Sequence, residues 1–232
     1  MVAVGQNRPM AAPLSTGADR FAYLHGFASG PTSRKGSALA AAFRARGAVF
    51  HQPDLNVPSF AELTYAGMLR GVDALDGRHG GAAAGGRWGF VGSSMGGWVA
   101  TRWAELHPSR VARLLLLAPG FDLPNRWRTL ISAADLARWE EHGAIDYQDA
   151  AGVTTPLHWG FMVDARAQPS FPTPACPTLI LHGRRDAVVP LEISVEYART
   201  RPQVELEVLD DDHDLLATLP HIERRALEWF GA

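Results

Sequence analysis

The pentapeptide Gly92-Ser93-Ser94-Met95-Gly96 constrains the fold of this chain more than any other sequence feature. It follows an apolar run over 88–91 and precedes a helix-like segment over 97–104. Where a strand turns this sharply into a helix, a Cβ at either flanking glycine would clash with neighbouring backbone. The turn therefore predicts a strained Ser94 whose hydroxyl is exposed above a sheet, and a serine held in this way is a candidate nucleophile.

Apolar and β-branched runs along the chain predict six strands, and helix-like segments lie between them. Strands that alternate with helices form βαβ units and a mostly parallel, doubly wound α/β sheet. Right-handed crossovers favour the strand order second-first-third-fourth-fifth-sixth, and ligands bind where the winding reverses, between the first and third strands. The predicted strands are Phe21–Leu24, Ala48–His51, Trp88–Val91, Leu114–Leu117, Thr178–Leu181 and Glu205–Leu209. The predicted helices are Ser33–Arg46, Ser59–Leu75, Met95–Leu106, Leu191–Thr200 and Pro220–Phe230.

The length of 232 residues suits one α/β domain. We expect residues 1–20 to form a flexible N-terminal tail and residues 21–232 to form a single domain. The alternation of elements breaks over 121–171, a segment rich in large aromatic residues, which we expect to be a lid-like insertion covering the carboxyl edge of the sheet. Ordinary extra helices packed on the core are the alternative for this segment.

Composition and charge narrow the choice of partners. The formal net charge is −2 and no long basic run is present, which argues against nucleic acid. No apolar stretch is long enough to cross a membrane, and residues 1–20 lack an apolar block of signal-peptide length. We therefore expect a cytoplasmic protein that is a monomer or a small homo-oligomer. Cys176 is the one cysteine, so no intramolecular disulfide can form, and we expect it to be a small buried residue.

A serine hydroxyl attacks only when a general base takes its proton and a third group orients that base. His213 follows the last predicted strand and Asp186 follows the fifth, so both belong to the same sheet edge as Ser94. The chain order serine, acid, histidine is typical of one arrangement of this triad. Asp122, after the fourth predicted strand, is the alternative acid, and His182 is expected to pack or bond locally.

Acyl transfer also requires N–H groups that stabilise the oxyanion of the tetrahedral intermediate. The candidates are the backbone N–H of Met95, directly after the serine, and that of Phe27, in the loop after the first strand. This chemistry needs neither a metal nor an organic cofactor. The residues expected to contact the substrate are His25, Ser93, Trp98 and Trp159.

With these motifs in place, the chain resembles the α/β-hydrolase superfamily from about Phe21 to Phe230. The block over 23–35 is similar to small bacterial esterases of the YqiA/YcfP type, and the segments 91–98 and 182–190 are similar to mitochondrial depalmitoylating thioesterases of the abhydrolase-domain group. The resemblance implies ester or thioester hydrolysis by a triad and, because few residues precede the first strand, a trimmed sheet of six or seven strands. The triad that it implies is Ser94, Asp186 and His213.

The sequence therefore predicts a serine hydrolase that cleaves small-molecule carboxylic esters through an acyl-enzyme intermediate. Acyl-thioester cleavage of the depalmitoylase kind and carbon–carbon bond hydrolysis are alternatives on the same triad. A non-catalytic ligand-binding homologue is a further alternative, although such proteins usually lose one member of the triad.

Overall fold

A computed structural model of the chain describes residues 17–232, apart from the side chain of residue 128. Most of the tail expected over 1–20 lies outside the described residues. The chain alternates strands and helices, as predicted. The strands are β1 (Arg20–Leu24), β2 (Phe50–His51), β3 (Trp88–Ser93), β4 (Val111–Leu117), β5 (Ala144–Gln148), β6 (Thr154–His158), β7 (Thr178–Gly183) and β8 (Val204–Leu209). The helices are α1 (Arg34–Arg44), α2 (Tyr65–Arg78), α3 (Met95–Leu106), α4 (Leu123–Leu130), α5 (Ala133–His142), α6 (Gly160–Arg166), α7 (Leu191–Arg199) and α8 (Leu219–Phe230).

The central sheet has six strands in the order β2-β1-β3-β4-β7-β8, which confirms the predicted topology. All five neighbouring pairs are parallel. The register aligns Leu24 with Gly92, and Gly183 with Leu209, so these strands reach the same edge of the sheet. The loops that follow β1, β3, β7 and β8 therefore meet at the carboxyl edge, as expected for a doubly wound sheet.

Alternating side chains of the strands fill two hydrophobic layers, one on each face of the sheet. In β1, Phe21 and Tyr23 belong to the layer that α1 and α8 cover, whereas Ala22 and Leu24 belong to the layer covered by α2, α3 and α7. Every residue of β3 and β7 is buried, as expected for central strands with helices on both faces. Packing on both faces fixes the ends of the strands, and the loops that follow those ends carry the functional groups.

The second helix begins later than the sequence predicted. A capping pattern at Ser59 suggested a helix over Ser59–Leu75, but α2 begins at Tyr65. The Ser59 hydroxyl does accept the Glu62 N–H at 3.3 Å, yet this bond closes only a turn. Thr64 caps the helix instead, because its hydroxyl accepts the Gly67 N–H at 2.9 Å. The residues between the two caps pack their apolar side chains into the core rather than continuing a helix.

The segment between β4 and β7 contains α4, α5, an antiparallel hairpin of β5 and β6, and α6. Ser132 caps α5, because its hydroxyl accepts the Asp135 N–H at 3.0 Å. The hairpin was not predicted. Buried aromatic side chains of the segment, among them Trp127, Trp139 and Phe161, belong to the same hydrophobic layer as α3. None of the helices in the described range is both long and apolar enough to cross a membrane.

Candidate active site

Ser94 occupies the sharp turn between β3 and α3. Its backbone angles, φ 50° and ψ −119°, lie in a region that residues with a side chain rarely adopt. The turn is held by the Ser94 N–H, which donates to the Leu117 carbonyl at 2.9 Å. A Cβ on Gly96 would come within 2.1 Å of the Leu24 oxygen, and one on Gly92 within 2.5 Å of the Gly96 oxygen. The two glycines therefore permit a backbone approach that any larger residue would block.

Three side chains from three loops form a hydrogen-bonded chain at the carboxyl edge. Ser94 Oγ lies 3.2 Å from His213 Nε2, and His213 Nδ1 lies 2.7 Å from Asp186 Oδ2. A carboxylate can only accept, so Nδ1 carries the imidazole proton and Nε2 is free to accept the serine hydroxyl. The structure thus brings together the three residues that the sequence predicted as a triad, with the histidine in the tautomer of a general base.

The carboxylate of Asp186 is fully enclosed and bonded on both oxygens. Oδ1 accepts the backbone N–H groups of Val188 at 2.8 Å and Val189 at 2.7 Å, while Oδ2 faces His213 and His182. Burial by itself would raise the pKa of Asp186. The hydrogen bonds from His182, His213 and Val189 outweigh that effect, so the pKa of the carboxyl falls well below its usual range. Asp186 is therefore a carboxylate whenever the fold is intact near neutral pH.

His182 is a buried positioning group that the sequence did not reveal. Its Nε2 lies 2.9 Å from the Val189 carbonyl and 3.2 Å from Asp186 Oδ2. Both partners are acceptors, so Nε2 carries the proton and Nδ1 accepts the hydroxyl of Ser194 at 2.8 Å. The sequence predicted that His182 bonds locally, and it does, but one of those bonds orients the candidate acid.

The alternative acid, Asp122, takes no part in this chain of hydrogen bonds. It precedes α4 with a left-handed backbone, φ 56°, and accepts from the Asn125 side chain at 2.6 Å. The bond of His213 to Asp186 leaves Asp122 without a role in orienting the imidazole.

The two candidate oxyanion donors lie on either side of Ser94. Met95 is the first residue of α3, so its N–H has no acceptor within the helix. A Cβ on Gly26 would come within 3.2 Å of the Ser94 Cβ, which shows how closely the loop carrying Phe27 approaches the serine. No acceptor among the described residues pairs with the Phe27 N–H. Both N–H groups are therefore available near the serine, and their role stays a prediction.

The Phe27 ring attaches this loop to the segment between β4 and β7. Its centroid lies 5.7 Å from that of Trp127, 4.9 Å from that of Tyr147 and 5.6 Å from that of Phe161. Edge-on and tilted aromatic contacts of this kind each add about 0.5–1.5 kcal/mol beyond burial. The backbone of the loop beside Ser94 is thereby held by side chains from outside the sheet.

A cavity of about 230 Å³ opens over Ser94 and His213. Polar groups of the loop after β1 and of the first turn of α1 form much of its wall. The other lining residues are Tyr23, Gly26, Phe27, Ser29, Ser33, Arg34, Lys35, Ser93, Asp214 and Leu216.

Of the four predicted substrate contacts, Ser93 alone lines this cavity. His25 is buried, and its ring nitrogens bond to the Gly26 carbonyl at 2.9 Å and to the Leu55 N–H at 2.9 Å. His25 thus fastens the loop after β1 to the loop after β2 instead of facing the cavity.

The two tryptophans predicted to contact substrate also lie elsewhere. Trp98 is 2% exposed, and its indole N–H donates to the Pro169 carbonyl at 2.9 Å, because it faces the core one turn into α3. Trp159 packs edge-on against Trp139 at 5.2 Å, with the Arg166 guanidinium 5.0 Å from its ring. Trp98 thus joins α3 to the segment between β4 and β7, whereas Trp159 makes its contacts within that segment.

Cys176 is buried, as the sequence predicted, and burial raises the pKa of its thiol to about 11. Within residues 17–232, no cluster of three or more His, Cys, Asp or Glu side chains could hold a metal ion.

A parallel six-stranded sheet with helices on both faces, and a strained serine at the turn after its third strand, define a member of the α/β-hydrolase superfamily. A model of the family described as "Uncharacterised protein family (UPF0227)" matches residues 20–228. The chain therefore belongs to the UPF0227 family, which confirms the resemblance seen in its motifs. No curated protein matches the chain.

Solved structures with the same fold cover nearly all of the chain. A hydrolase from Agrobacterium vitis S4 has a TM-score of 0.78 at 22% identity, covering 96% of this chain and 91% of its own. Est1E from Butyrivibrio proteoclasticus with bound ferulic acid has a TM-score of 0.77 at 18% identity, covering 94% and 91%. Alpha/beta hydrolase domain-containing protein 10 from mouse has a TM-score of 0.67 at 21% identity, covering 90% of each chain. These similarities establish the fold.

Proposed function

We propose that this protein is a serine hydrolase that cleaves carboxylic esters. The observation that carries the proposal is the chain of hydrogen bonds from Ser94 Oγ to His213 Nε2 at 3.2 Å and from His213 Nδ1 to Asp186 Oδ2 at 2.7 Å. Both distances are within hydrogen-bonding reach, and the bond of His213 Nδ1 to the Asp186 carboxylate orients Nε2 to accept the serine proton.

In the first half of the reaction, Ser94 Oγ attacks the acyl carbon while His213 Nε2 accepts the hydroxyl proton. The imidazolium that forms is stabilised by the buried carboxylate of Asp186. The same Nε2–H then protonates the leaving oxygen, so the alcohol departs and an ester of Ser94 remains. In the second half, His213 takes a proton from water while the water oxygen attacks the acyl carbon, and His213 then returns that proton to Ser94 Oγ as the Oγ–acyl bond breaks and the acid is released.

The negative charge that develops on the carbonyl oxygen needs donors that are already in place. We assign this role to the backbone N–H groups of Met95 and Phe27, which flank the serine. Removing one such donor costs about 3 kcal/mol of transition-state stabilisation, or roughly a hundredfold in rate. The aromatic packing of the Phe27 ring restricts movement of the loop and so preserves the position of its N–H.

The size of the cavity supports a small-molecule substrate. Pockets for drug-sized ligands usually measure about 300–1,000 Å³, and this cavity, at about 230 Å³, has room for a smaller molecule. Est1E, whose structure holds ferulic acid, supports carboxylic esters as the class, because ester hydrolysis releases a carboxylic acid. Acyl thioesters remain the second candidate, since the same steps cleave them with a thiol as leaving group.

The test is hydrolysis of p-nitrophenyl butyrate by the Ser94→Ala variant and by a matched variant, Ser109→Ala. Ser109 is an exposed serine before β4, at the opposite edge of the sheet. Loss of the nucleophile should reduce kcat by about 10⁶-fold, down to background, whereas the control keeps its activity. Wild-type protein should also react covalently with a fluorophosphonate at Ser94. Equal hydrolysis by the Ser94→Ala variant, or a folded wild type that neither hydrolyses esters nor reacts with the probe, would refute the proposal.

A paired comparison decides between the two substrate classes. Butyrate esters and butyryl thioesters of matched alcohols and thiols are offered to the same enzyme. A higher kcat/KM for the ester supports the proposal, and a preference for the thioester beyond its greater intrinsic reactivity would move the assignment to a thioesterase.

A further inference from the structure

The side chain of Lys35 lines the cavity that contains Ser94 and His213, and the mechanism above does not use it. Lys35 is in the first turn of α1 and is half-buried. No carboxylate among residues 17–232 forms an ion pair or a hydrogen bond with its ammonium group. A cation held beside a candidate nucleophile without a protein partner is available to a ligand.

Lys35 is also the one lysine in the sequence, beside 21 arginines. Arginine therefore supplies the positive charge at every other basic position, whether exposed or paired. An ammonium differs from a guanidinium in being a compact, strongly hydrated point charge on a flexible stem. The site next to Ser94 is where this chain places such a charge.

The local helix gives no structural reason for the charge. Arg34 and Lys35 occupy the first turn of α1, and no acidic residue accompanies them. Cations at a helix N-terminus oppose the helix dipole, so they weaken α1 rather than stabilise it. The cap of this helix is Ser33, whose hydroxyl oxygen accepts the Gly36 N–H at 3.3 Å.

Four carboxylates attract the Lys35 ammonium electrostatically, although each lies beyond ion-pair distance. They belong to Asp186, Asp211, Asp212 and Asp214. Burial lowers the pKa of Lys35, and these charges oppose that change and favour the ammonium form. Asp186 is hydrogen-bonded to His213. Asp211 accepts hydrogen bonds from the Thr218 N–H at 2.7 Å and from the Thr218 hydroxyl at 2.8 Å. Asp212 accepts the Asp214 N–H at 2.9 Å.

The residues that line the cavity include two cations, Arg34 and Lys35, and one carboxylate, Asp214. The hydroxyl of Ser29 also lines the cavity, whereas the Ser33 hydroxyl caps α1 and bonds to the Tyr23 hydroxyl. Two cations and one hydroxyl donor form the kind of wall that an anionic oxygen binds.

We propose that Lys35 binds an anionic group of the substrate, a carboxylate or a phosphate, while Ser94 attacks the neighbouring carbonyl. The inference rests on the proposed hydrolase function and specifies its substrate class. The anion belongs either to the leaving alcohol or to the acyl group, because the cavity is lined both by His213, which protonates the leaving group, and by the loop of Phe27, which faces the carbonyl oxygen. Lys35 is then a specificity-determining residue and has no part in proton transfer.

The experiment compares wild type and Lys35→Met on two pairs of esters that differ only in charge. For the leaving group, the pair is 3-butyryloxybenzoate and its methyl ester. For the acyl group, the pair is p-nitrophenyl hemisuccinate and p-nitrophenyl methyl succinate. The matched control is Arg70→Met, which makes the same change in net charge, because Arg70 is an exposed cation of α2 with no ion-pair partner among residues 17–232.

Loss of a bond between charged groups should lower kcat/KM of Lys35→Met by at least about tenfold for the charged member of one pair, mainly through a higher KM. The neutral members should change by less than about twofold, and Arg70→Met should resemble wild type on all four esters. Whichever pair shows the selective loss identifies the half of the substrate that carries the anion.

Three results would overturn the proposal. One is an equal loss on charged and neutral esters, which indicates a structural or electrostatic effect on the triad. Another is no loss on either charged ester. The third is a folded wild type that cleaves none of the four esters, and this result refutes the hydrolase function itself. In the first two cases the neutral esters are still cleaved, so the hydrolase function stands and only the role of Lys35 is refuted.

Discussion

Replacing Asp186 with asparagine tests the proposed mechanism most directly, because the structure specifies how the amide must sit. Oδ1 of Asp186 accepts two backbone N–H groups, from Val188 and Val189. An amide has one oxygen and one NH₂ group, so the oxygen must take this position. The reverse orientation would bury an NH₂ group against two N–H donors, at a cost of about 1–3 kcal/mol for each unsatisfied group.

With the amide oxygen in that position, its NH₂ group faces His213 Nδ1. Two donors cannot bond to each other, so the imidazole proton moves to Nε2, which then points its N–H at Ser94 Oγ instead of accepting from it. The base is lost although every side chain remains in place. We expect kcat of Asp186→Asn to fall by about 10⁴-fold, which corresponds to about 5 kcal/mol of activation free energy.

The assay is hydrolysis of p-nitrophenyl butyrate, with thermal unfolding measured in parallel. Asp210→Asn is the matched control, because Asp210, which follows β8, is an exposed carboxylate that pairs with Arg184 and Arg185 at the surface. It should retain wild-type kcat and stability. If Asp186→Asn folds and its kcat stays within about tenfold of wild type, the orientation of His213 by Asp186 contributes little to catalysis. The reasoning from the tautomer is then wrong.

Three further substitutions test the fold that supports the site. Gly96→Ala should prevent folding or cost more than about 3 kcal/mol in urea unfolding, because its Cβ would meet the Leu24 carbonyl at 2.1 Å. Gly77→Ala, at an exposed position of α2 where a Cβ meets no atom within 4 Å, should instead stabilise by about 0.5–1 kcal/mol and raise Tm by about 2 °C. Asp76 is buried in a pair with Arg110 at 2.6 Å, and hydrogen bonds lower its pKa despite the opposing effect of burial. Its folded-state pKa lies below the unfolded value of about 3.9, so its stabilisation is complete above that pH and is lost as pH falls through the folded pKa. Asp76→Asn should lose about 3 kcal/mol at pH 7, with the difference from wild type shrinking at pH 3; a constant difference at both pH values would contradict this assignment.

The topology and the three hydrogen-bonded residues could be predicted because each depends on local pattern. Fully apolar runs such as β7 can form only buried strands, and their alternation with helices leaves few parallel topologies. Ser94, Asp186 and His213 each follow such a run, so the parallel sheet brings them to one edge without further information.

The start of α2 and the hairpin of β5 and β6 depend on tertiary contacts that no local pattern contains. Ser59 is as good a cap in sequence as Thr64, and burial of the side chains between them decides in favour of Thr64. The hairpin is short, and Ile145 and Tyr147 alternate with polar neighbours. Its apolar face packs on the core, a contact between residues that are far apart in the sequence.

Three of the predicted substrate contacts, His25, Trp98 and Trp159, lie outside the cavity for a related reason, since a position near Ser94 in sequence is not a position near its hydroxyl. Trp98 comes four residues after the serine, and one helical turn carries it back over the core, where it is 2% exposed. Helical spacing of large apolar residues within α3 indicates this burial. Lys35, by contrast, is 59 positions away in the chain and reaches the cavity through the first turn of α1.

His182 shows what kind of information the sequence withholds about the site. A histidine within the buried run of β7 must have hydrogen-bond partners, so its burial implied partners without identifying them. The partners are Ser194 in α7, the Val189 carbonyl and Asp186, and they meet only when the loop after β7 folds back on its own strand. The Asp186 carboxylate is thus oriented by a residue four positions before it and by two N–H groups after it. Strand-end position brings an acid to the correct edge of a sheet, but the placement within hydrogen-bonding distance that general-base catalysis requires comes from this buried network.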